Sequence, residues 1–282
     1  MRTHAEWRAV DVRALLRYVL GMITVENLTF RYGARGVPIF QGFSWHVARG
    51  EAWSIIGPSG CGKSTLLMLL AGLRRPTAGT IHVGGQMLRR PRPETGLILQ
   101  DYGLLPWATV WDNAALGLRV RQFYGPDGKH APRSQPPPSR QQARRMVADW
   151  LRRLGIYEQR NQYPAAISGG QRQRTAIART LALQPDLLLM DEPFSSLDAP
   201  TREDLQNLIW QLRAEMHLTS VIVTHAIEEA AILGRKILVL GQPPNRAPVV
   251  VENPQAGTPH YRSSEAFLQQ CTHLRTLLGL KA

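Results

Sequence analysis

A nine-residue glycine-rich loop constrains this chain more than any other feature of its sequence. Residues 57–65 read GPSGCGKST and match the whole pattern G-x-x-x-x-G-K-[ST]. Residues 52–56 (AWSII) before the loop predict a buried strand. Residues 64–73 after it predict a helix, because their leucines recur at helical spacing. The sequence therefore predicts a strand, a glycine-rich loop and a helix in that order.

Such a loop has the chemistry of a polyphosphate site. Glycines let successive backbone N–H groups turn inward around phosphate oxygens, and the positive end of the following helix points at the same anion. Lys63 is expected to reach the β- and γ-phosphates, and Ser64 to give its hydroxyl to Mg²⁺. Glycine-rich turns before helices are also common without a ligand, but here the full pattern and both flanks are present. The residues expected to bind nucleotide are Gly57, Pro58, Ser59, Gly60, Cys61, Gly62, Lys63, Ser64 and Thr65.

Size, cysteine content and charge limit the alternatives. The 282 residues suffice for one large or two modest domains, and no apolar run approaches the roughly 20 residues that cross a bilayer. Two cysteines without metal spacing predict a reducing cytoplasm, and a thiol reagent on Cys61 is expected to block phosphate entry. A net charge of +13 allows nucleic acid, an anionic membrane surface or no specific partner. Seven basic residues lie from Arg119 to Arg145 in a stretch rich in Pro, Gly and Gln that has no recognisable nucleic-acid motif, so we expect a solvated loop and no nucleic acid.

Two further segments place polar residues where a nucleotide needs them. A fully apolar strand runs into Asp191 and Glu192, and burying two acids at a strand end is costly unless a cation meets them. Nucleotide-bound Mg²⁺ supplies that charge, so Asp191 is expected to hold the metal and Glu192 to act as general base on the attacking water. Ser168, Gly169 and Gly170 lead into a helix predicted over 175–183 and predict a second anion site, whose simpler interpretation is an N-cap.

Three single residues have both a functional and an ordinary interpretation. Gln100 ends a predicted strand, from which its amide can reach a metal or an attacking water, although an amide there is unremarkable alone. His225 also ends a predicted strand, where a histidine is more often a capped surface residue. Tyr32 is either an edge-strand aromatic or a ring that stacks on a nucleobase from outside the loop.

The remaining segments predict how the chain is divided. Residues 1–21 are interpreted as an appended helix or an artefact of the assigned start, with Met22 as the alternative start. Residues 101–170 have helical patterns and contain a proline-rich basic loop at 121–140. Residues 241–282 contain a short strand and a capped helix, and are interpreted as a packing or dimer-contact tail.

Taken in order, these motifs resemble the nucleotide-binding subunit of ABC transporters across residues 22–240. The resemblance implies an α/β fold: a P-loop NTPase core with a mostly parallel sheet flanked by helices, an N-terminal antiparallel β subdomain and an inserted α-helical subdomain. In that family the glycine-rich loop is Walker A, Gln100 falls on the Q-loop, residues 167–171 on the signature, residues 187–192 on Walker B, residues 195–198 on the D-loop, His225 on the switch histidine and Tyr32 on the aromatic that stacks on adenine.

The resemblance also implies a site shared by two copies of the chain. Such subunits work as head-to-tail dimers, in which Ser168 and Gly170 of one copy close over ATP held by Lys63 of the other. Gly169, Gln171 and Asp198 join the expected nucleotide contacts. The expected catalytic residues are Glu192, His225, Gln100 and Lys63, and the expected Mg²⁺ ligands are Ser64, Gln100 and Asp191.

The implied cofactors are ATP and Mg²⁺, and the resemblance implies further partners besides a second copy of the chain. They are an integral-membrane permease and, indirectly, a solute-binding protein, with the chain peripheral at the cytoplasmic face of the inner membrane. Residues 104–107 (LLPW) and the compact tail look like the nitrate, sulfonate and taurine importer group. Segments near Gln100 receive the permease in this family, so Trp107 is interpreted either as a permease contact or as a core aromatic.

The chain departs from the family pattern at three places. Ile167 replaces the usual leucine, which is tolerated because the volumes are similar. Ala226 follows His225 where an aspartate is common, which leaves the positioning of His225 less defined. The loop at 121–140 is longer than usual and is expected to be mobile.

Two other kinds of function share this fold. A DNA-repair, chromosome or translation ATPase would be expected to carry long heptad arms, zinc cysteines or a second cassette, and the sequence has none of these. An exporter subunit or a purely signalling subunit remains as the second alternative to import.

Overall fold

Two sheets and seven helices make up the part of the chain that the computed structural model describes, namely residues 21–33, 35–124 and 137–280. The predictions for residues 1–20 and for positions 125–136 of the basic loop lie outside the described residues. Within the described ranges, no helix is both long enough and apolar enough to traverse a bilayer.

The elements follow one another in the predicted order. The strands are β1 (Gly21–Arg31), β2 (Pro38–Ala48), β3 (Ala52–Ile56), β4 (Ala78–Val83), β5 (Gln86–Met87), β6 (Thr95–Ile98), β7 (Leu187–Asp191), β8 (Thr219–Val223), β9 (Lys236–Val239) and β10 (Val249–Glu252). The helices are α1 (Lys63–Leu70), α2 (Val110–Tyr124), α3 (Arg140–Arg153), α4 (Gly169–Leu181), α5 (Ala199–Met216), α6 (Ile227–Leu233) and α7 (Glu265–Leu277).

The larger sheet is parallel except at one edge and has the order β10-β9-β3-β8-β7-β6. Every residue of β3, β7 and β8 is buried, because helices cover one face and α1 with the second sheet covers the other. This explains why β3 and β7 are largely apolar, and why buried and exposed residues do not alternate along any of the three strands. The carboxyl ends of β3, β6, β7 and β8 meet at one edge, which is where the predicted site residues follow.

The smaller sheet is antiparallel, with the order β2-β1-β4-β5. Its inner side chains, among them Phe40 and Phe43, pack with Leu66 and Leu70 of α1 and with Leu189 of β7 in one buried cluster. The helix that follows the glycine-rich loop is thus held between two sheets.

The helical insertion is formed by α2 and α3, and it leads into α4. Backbone N–H groups at the start of α2 donate to the carbonyls of Arg160 and Gln162, which joins the entry of the insertion to its exit. Ser139 and Gln142 form a reciprocal capping box at the start of α3. Together with the two sheets, this insertion completes the predicted α/β architecture.

Some predicted boundaries differ from the observed ones. The sequence predicts the helix after Ser168 over 175–183, but the helix begins at Gly169, because Ser168 and Gln171 form a second capping box. The tail packs against its own subunit, with β10 paired to β9 and α7 in contact with α6.

Asn253 joins the tail to the core by hydrogen bonds. Its buried side-chain amide donates to the carbonyls of Ala231 and Gly234 at 2.6 and 2.8 Å, and its oxygen accepts from the Tyr261 hydroxyl at 2.6 Å.

Replacing Asn253 with Ala should lower the free energy of unfolding by about 2–4 kcal/mol, because two carbonyls and one hydroxyl lose their partner in a buried place. Tyr261→Phe removes one of these bonds and should cost about 1 kcal/mol. Urea unfolding followed by tryptophan fluorescence measures both. Equal effects of the two substitutions would contradict the central role of Asn253.

Candidate active site

The glycine-rich loop has the backbone shape that phosphate binding requires. Gly62 precedes α1 with φ +107°, and a Cβ there would lie 2.4 Å from Cγ2 of Ile39. No other residue type fits this position without displacing β2. The ammonium of Lys63 is held over the loop, donating to the carbonyls of Gly57 at 2.9 Å and of Pro58 at 3.1 Å. A phosphate oxygen can replace these carbonyls as the acceptor with little movement of the side chain.

The structure corrects the expectation for the Cys61 thiol. The side chain is 0% exposed and packs in the cluster between the sheets, with its sulfur 4.0 Å from the Lys63 ammonium, so a reagent in solvent does not reach it. Burial raises the pKa of the thiol, which disfavours the reactive thiolate. Only backbone atoms of Cys61 remain available to the nucleotide.

Ser64 and Asp191 come together at the predicted metal position. The Ser64 hydroxyl donates to Oδ1 of Asp191 at 3.1 Å, although the two residues are far apart in the chain. A hydroxyl and a carboxylate are hard oxygen donors of the kind that Mg²⁺ prefers. Burial raises the pKa of Asp191 and the Glu192 charge raises it further, while Ser64 and Lys63 act in the opposite direction. The donor set and the uncompensated negative charge therefore fit a divalent cation.

Glu192 lies where the Q-loop and the switch histidine converge. Its Oε2 is 3.0 Å from Nδ1 of His225 and accepts from Nε2 of Gln100 at 3.5 Å. The backbone of Glu192 has φ +45°, a left-handed conformation that places its carboxylate beyond the end of β7. Two residues that the sequence placed at separate strand ends, Gln100 and His225, thus meet at the carboxylate of a third, Glu192.

Tyr32 lies beside the glycine-rich loop and is half exposed. Its hydroxyl shares a hydrogen bond of 3.1 Å with the Thr65 hydroxyl, and its ring meets the edge of Phe30 at a centroid distance of 5.0 Å. The Arg74 guanidinium lies 5.4 Å from the ring centroid. The ring is held next to the loop and 48% of the residue surface is exposed, which is compatible with stacking.

The signature residues lie beside the D-loop. The Ser168 hydroxyl accepts from the backbone N–H of Gln171 at 3.2 Å, so it caps α4. Gly170 passes so close to the next helix that a Cβ would lie 2.5 Å from Cγ2 of Thr201. Asp198 caps α5 through the backbone N–H of Thr201, and this hydrogen bond lowers its pKa. The contacts of Ser168, Gly170 and Asp198 place them near one another.

Trp107 is not a core aromatic, because 74% of its surface is exposed. The segment that carries it is nevertheless firmly held. Buried Asn113 accepts from the Leu105 N–H at 2.8 Å and donates to the carbonyls of Leu105, Ala108 and Thr109 at 3.0–3.1 Å. This part of the Q-loop region therefore presents an exposed aromatic side chain on a backbone that is hydrogen-bonded on both sides of it.

Sequence reasoning missed a buried acid behind His225. Glu229 accepts from the Thr224 hydroxyl at 2.6 Å, and Thr224 in turn accepts from the Ala226 N–H at 3.1 Å. These bonds hold the backbone on both sides of His225, where the family's usual aspartate is absent. Burial raises the pKa of Glu229. The sequence offers two adjacent acids, and only packing distinguishes Glu229 from Glu228, which pairs with Arg275 of the tail.

A second missed residue is Asn245 in the tail. Its amide donates to the carbonyl of Cys61 at 2.9 Å, and its oxygen accepts from the Gly241 N–H at 2.9 Å. An asparagine in a proline-rich turn carries no sequence signal for contact with a phosphate loop. The tail therefore contacts the backbone of the glycine-rich loop.

The parallel core, the glycine-rich loop at a helix start and the paired carboxylates define a nucleotide hydrolase of the P-loop class. Residues 40–195 match the family model described as ABC transporter. The taurine import ATP-binding protein of Pseudomonas aeruginosa is 39% identical over 229 residues, covering 80% of this chain and 81% of that protein. The aliphatic sulfonates import ATP-binding protein SsuB 2 of Agrobacterium fabrum is 39% identical over 248 residues, covering 88% and 86%.

A solved dimeric ATP-binding cassette in a post-hydrolysis state with ADP and Pi superposes with a TM-score of 0.68 at 28% identity, covering 82% of this chain and 98% of that one. The chain belongs to the ABC transporter family. It is an ATP-binding subunit and an ATP hydrolase.

Replacing Asp191 with Asn should leave the melting temperature of the metal-free protein at least as high as that of the wild type. The raised pKa means that the ionised carboxylate destabilises the folded state, and this cost diminishes as the pH falls through that pKa. With Mg²⁺ and ATP, the wild type should gain more thermal stability than the variant. Differential scanning fluorimetry with EDTA and with Mg²⁺-ATP measures both. A variant that melts far lower in EDTA would contradict the electrostatic account.

Proposed function

We propose that Glu192 is the general base of ATP hydrolysis in this chain. The observation that carries the proposal is the meeting of Gln100 and His225 at one oxygen of its carboxylate. In this arrangement Glu192 accepts a proton from the attacking water, His225 orients the carboxylate and Gln100 positions the water by its amide. Lys63 neutralises charge on the terminal phosphate as it develops.

Mg²⁺, when bound, neutralises phosphate charge, and the residues that would hold it are Ser64, Asp191 and Gln100. The nucleotide contacts come from residues 57–65, with Tyr32 stacking on the base. Ser168, Gly169, Gly170, Gln171 and Asp198 act on the nucleotide of a second copy. These residues lie on α4 and the D-loop, and their contacts are with α4 and α5 rather than with Lys63. This supports a composite site that is completed in a dimer.

We further propose that hydrolysis drives import of a small anionic solute of the sulfonate type through a separate permease. The two import ATP-binding relatives support this proposal, since each covers most of both chains. The chain would then bind the cytoplasmic face of the inner membrane through the permease. A solute-binding protein would deliver the cargo from the other side.

The permease contact is assigned to residues 104–107. Trp107 is exposed on a segment that Asn113 holds by four hydrogen bonds, which reduces the entropy lost on binding. An exposed aromatic on a rigid support is typical of an interface anchor.

Glu192→Gln should bind ATP as the wild type does and hydrolyse it about 10²- to 10⁴-fold more slowly, because the amide cannot accept the proton of the water. A fluorescent ATP analogue measures affinity, and phosphate release measures turnover. Glu158→Gln makes the same chemical change at an exposed 3-10 turn and serves as the control. Turnover retained in Glu192→Gln would reject the assigned base.

The import proposal is tested with the tagged chain purified from membranes together with its permease, reconstituted in liposomes and supplied with the solute-binding protein. Taurine or an alkanesulfonate, each of which carries a sulfonate group, should raise the ATPase rate, whereas an analogue of equal size without that group should not. Trp107→Ala should reduce this stimulation, and Phe123→Ala, which alters another exposed aromatic, should not. Stimulation by cargo from the ATPase side only would indicate export and overturn the proposal, and ATPase stimulation by DNA without a permease would favour the nucleic-acid alternative.

A further inference from the structure

Tyr102 connects the segment after Gln100 to the D-loop. Its buried hydroxyl shares a hydrogen bond with the hydroxyl of Ser196, although 94 positions separate the two residues in the chain. The backbone of Tyr102 has φ +60°, a conformation that a non-glycine residue adopts only when its surroundings compensate for the strain. The structure therefore maintains this tyrosine in an unfavourable backbone conformation while its side chain reaches the D-loop.

Arg179 of α4 holds the backbone of the same segment. Its guanidinium donates to the carbonyl of Tyr102 at 2.6 Å and also to the carbonyl of Gly103. The N–H of Tyr102 donates to the carbonyl of Leu99 at 2.9 Å. Because α4 begins at the signature residues, the position of Tyr102 depends on the position of the signature helix.

Ser195, which precedes Ser196 in the D-loop, is hydrogen-bonded to the backbone of Glu192, the proposed base. Ser195 donates to the carbonyl of Glu192 through its hydroxyl at 3.1 Å and through its backbone N–H at 3.3 Å. Gln100 contacts the Glu192 carboxylate at 3.5 Å. Two side chains two positions apart, Gln100 and Tyr102, therefore hold the two ends of the segment that runs from Glu192 to Ser196.

We propose that Tyr102 is a positioning residue for ATP hydrolysis, which acts through Ser196 on the backbone that carries Glu192. The hydrogen bond between the two hydroxyls fixes the D-loop relative to the Q-loop, and Arg179 makes that arrangement depend on the seating of α4. This inference rests on the proposed role of Glu192 as base. It adds a residue that contacts neither the water nor the nucleotide.

The test compares Tyr102→Phe, Ser196→Ala and the double variant in the full-length protein. Each single variant should lower kcat about fivefold while the KM for ATP stays within twofold, because a hydrogen bond that orients the base is lost and the nucleotide contacts are not. The double variant should be no slower than the slower single variant, since both remove the same bond. Amide hydrogen exchange of residues 195–198 should quicken in all three variants.

Tyr261→Phe is the matched control, because it also removes a buried tyrosine hydroxyl that makes one hydrogen bond, but in the tail. It should lower thermal stability and leave kcat unchanged. A kcat equal to the wild type in Tyr102→Phe, or multiplicative losses in the double variant, would overturn the proposal. Glu192→Gln, measured in parallel, separates the two hypotheses: if it retains turnover, the assigned base is wrong, and if it is inactive while Tyr102→Phe is fully active, only the positioning role fails.

Discussion

Two adjacent carboxylates at the end of a buried strand are the constraint on which this structure depends. Asp191 is buried beside Glu192, and its raised pKa shows that the protein alone does not compensate the charge. The surrounding elements supply what such a pair needs: a lysine from the glycine-rich loop, a hydroxyl from α1, an amide after β6 and an imidazole after β8. A parallel sheet brings all of these to one edge, since the carboxyl ends of its strands point the same way.

The sequence predicted those parts of the site that follow directly from strand ends and loop patterns. The glycine-rich loop, the Asp191 and Glu192 pair, Gln100 and His225 all come at the end of a predicted strand, so sheet topology alone brings them together. Buried strands were predicted at residues 52–56 and before Asp191, and every residue of β3 and β7 is buried in the structure. The order of strands and helices was predictable for the same reason. The start of α4 was not, because a capping box of Ser168 and Gln171 begins this helix earlier than predicted.

The parts that could not be predicted depend on packing between segments distant in the chain. No pattern shows that Cys61 faces the core, because a loop residue can face either side until its neighbours are placed. Glu229 and Tyr102 likewise lie a few residues after motif residues but are not part of a motif. They can be recognised only from the folded structure, where Glu229 hydrogen-bonds Thr224 and Tyr102 hydrogen-bonds Ser196. Local propensity carries no information on such pairs, whereas tertiary contacts determine them.

The amide of Asn245 has a consequence for how the molecule assembles. It touches the carbonyl of Cys61, 184 positions away, and also the carbonyl of Ile39, 206 positions away. Closing contacts of such sequence separation is slow, because the entropy of the intervening chain is lost before they form. These two hydrogen bonds can form only after synthesis has passed position 245. A nascent chain that ends before this residue would therefore carry the glycine-rich loop without its support from the tail.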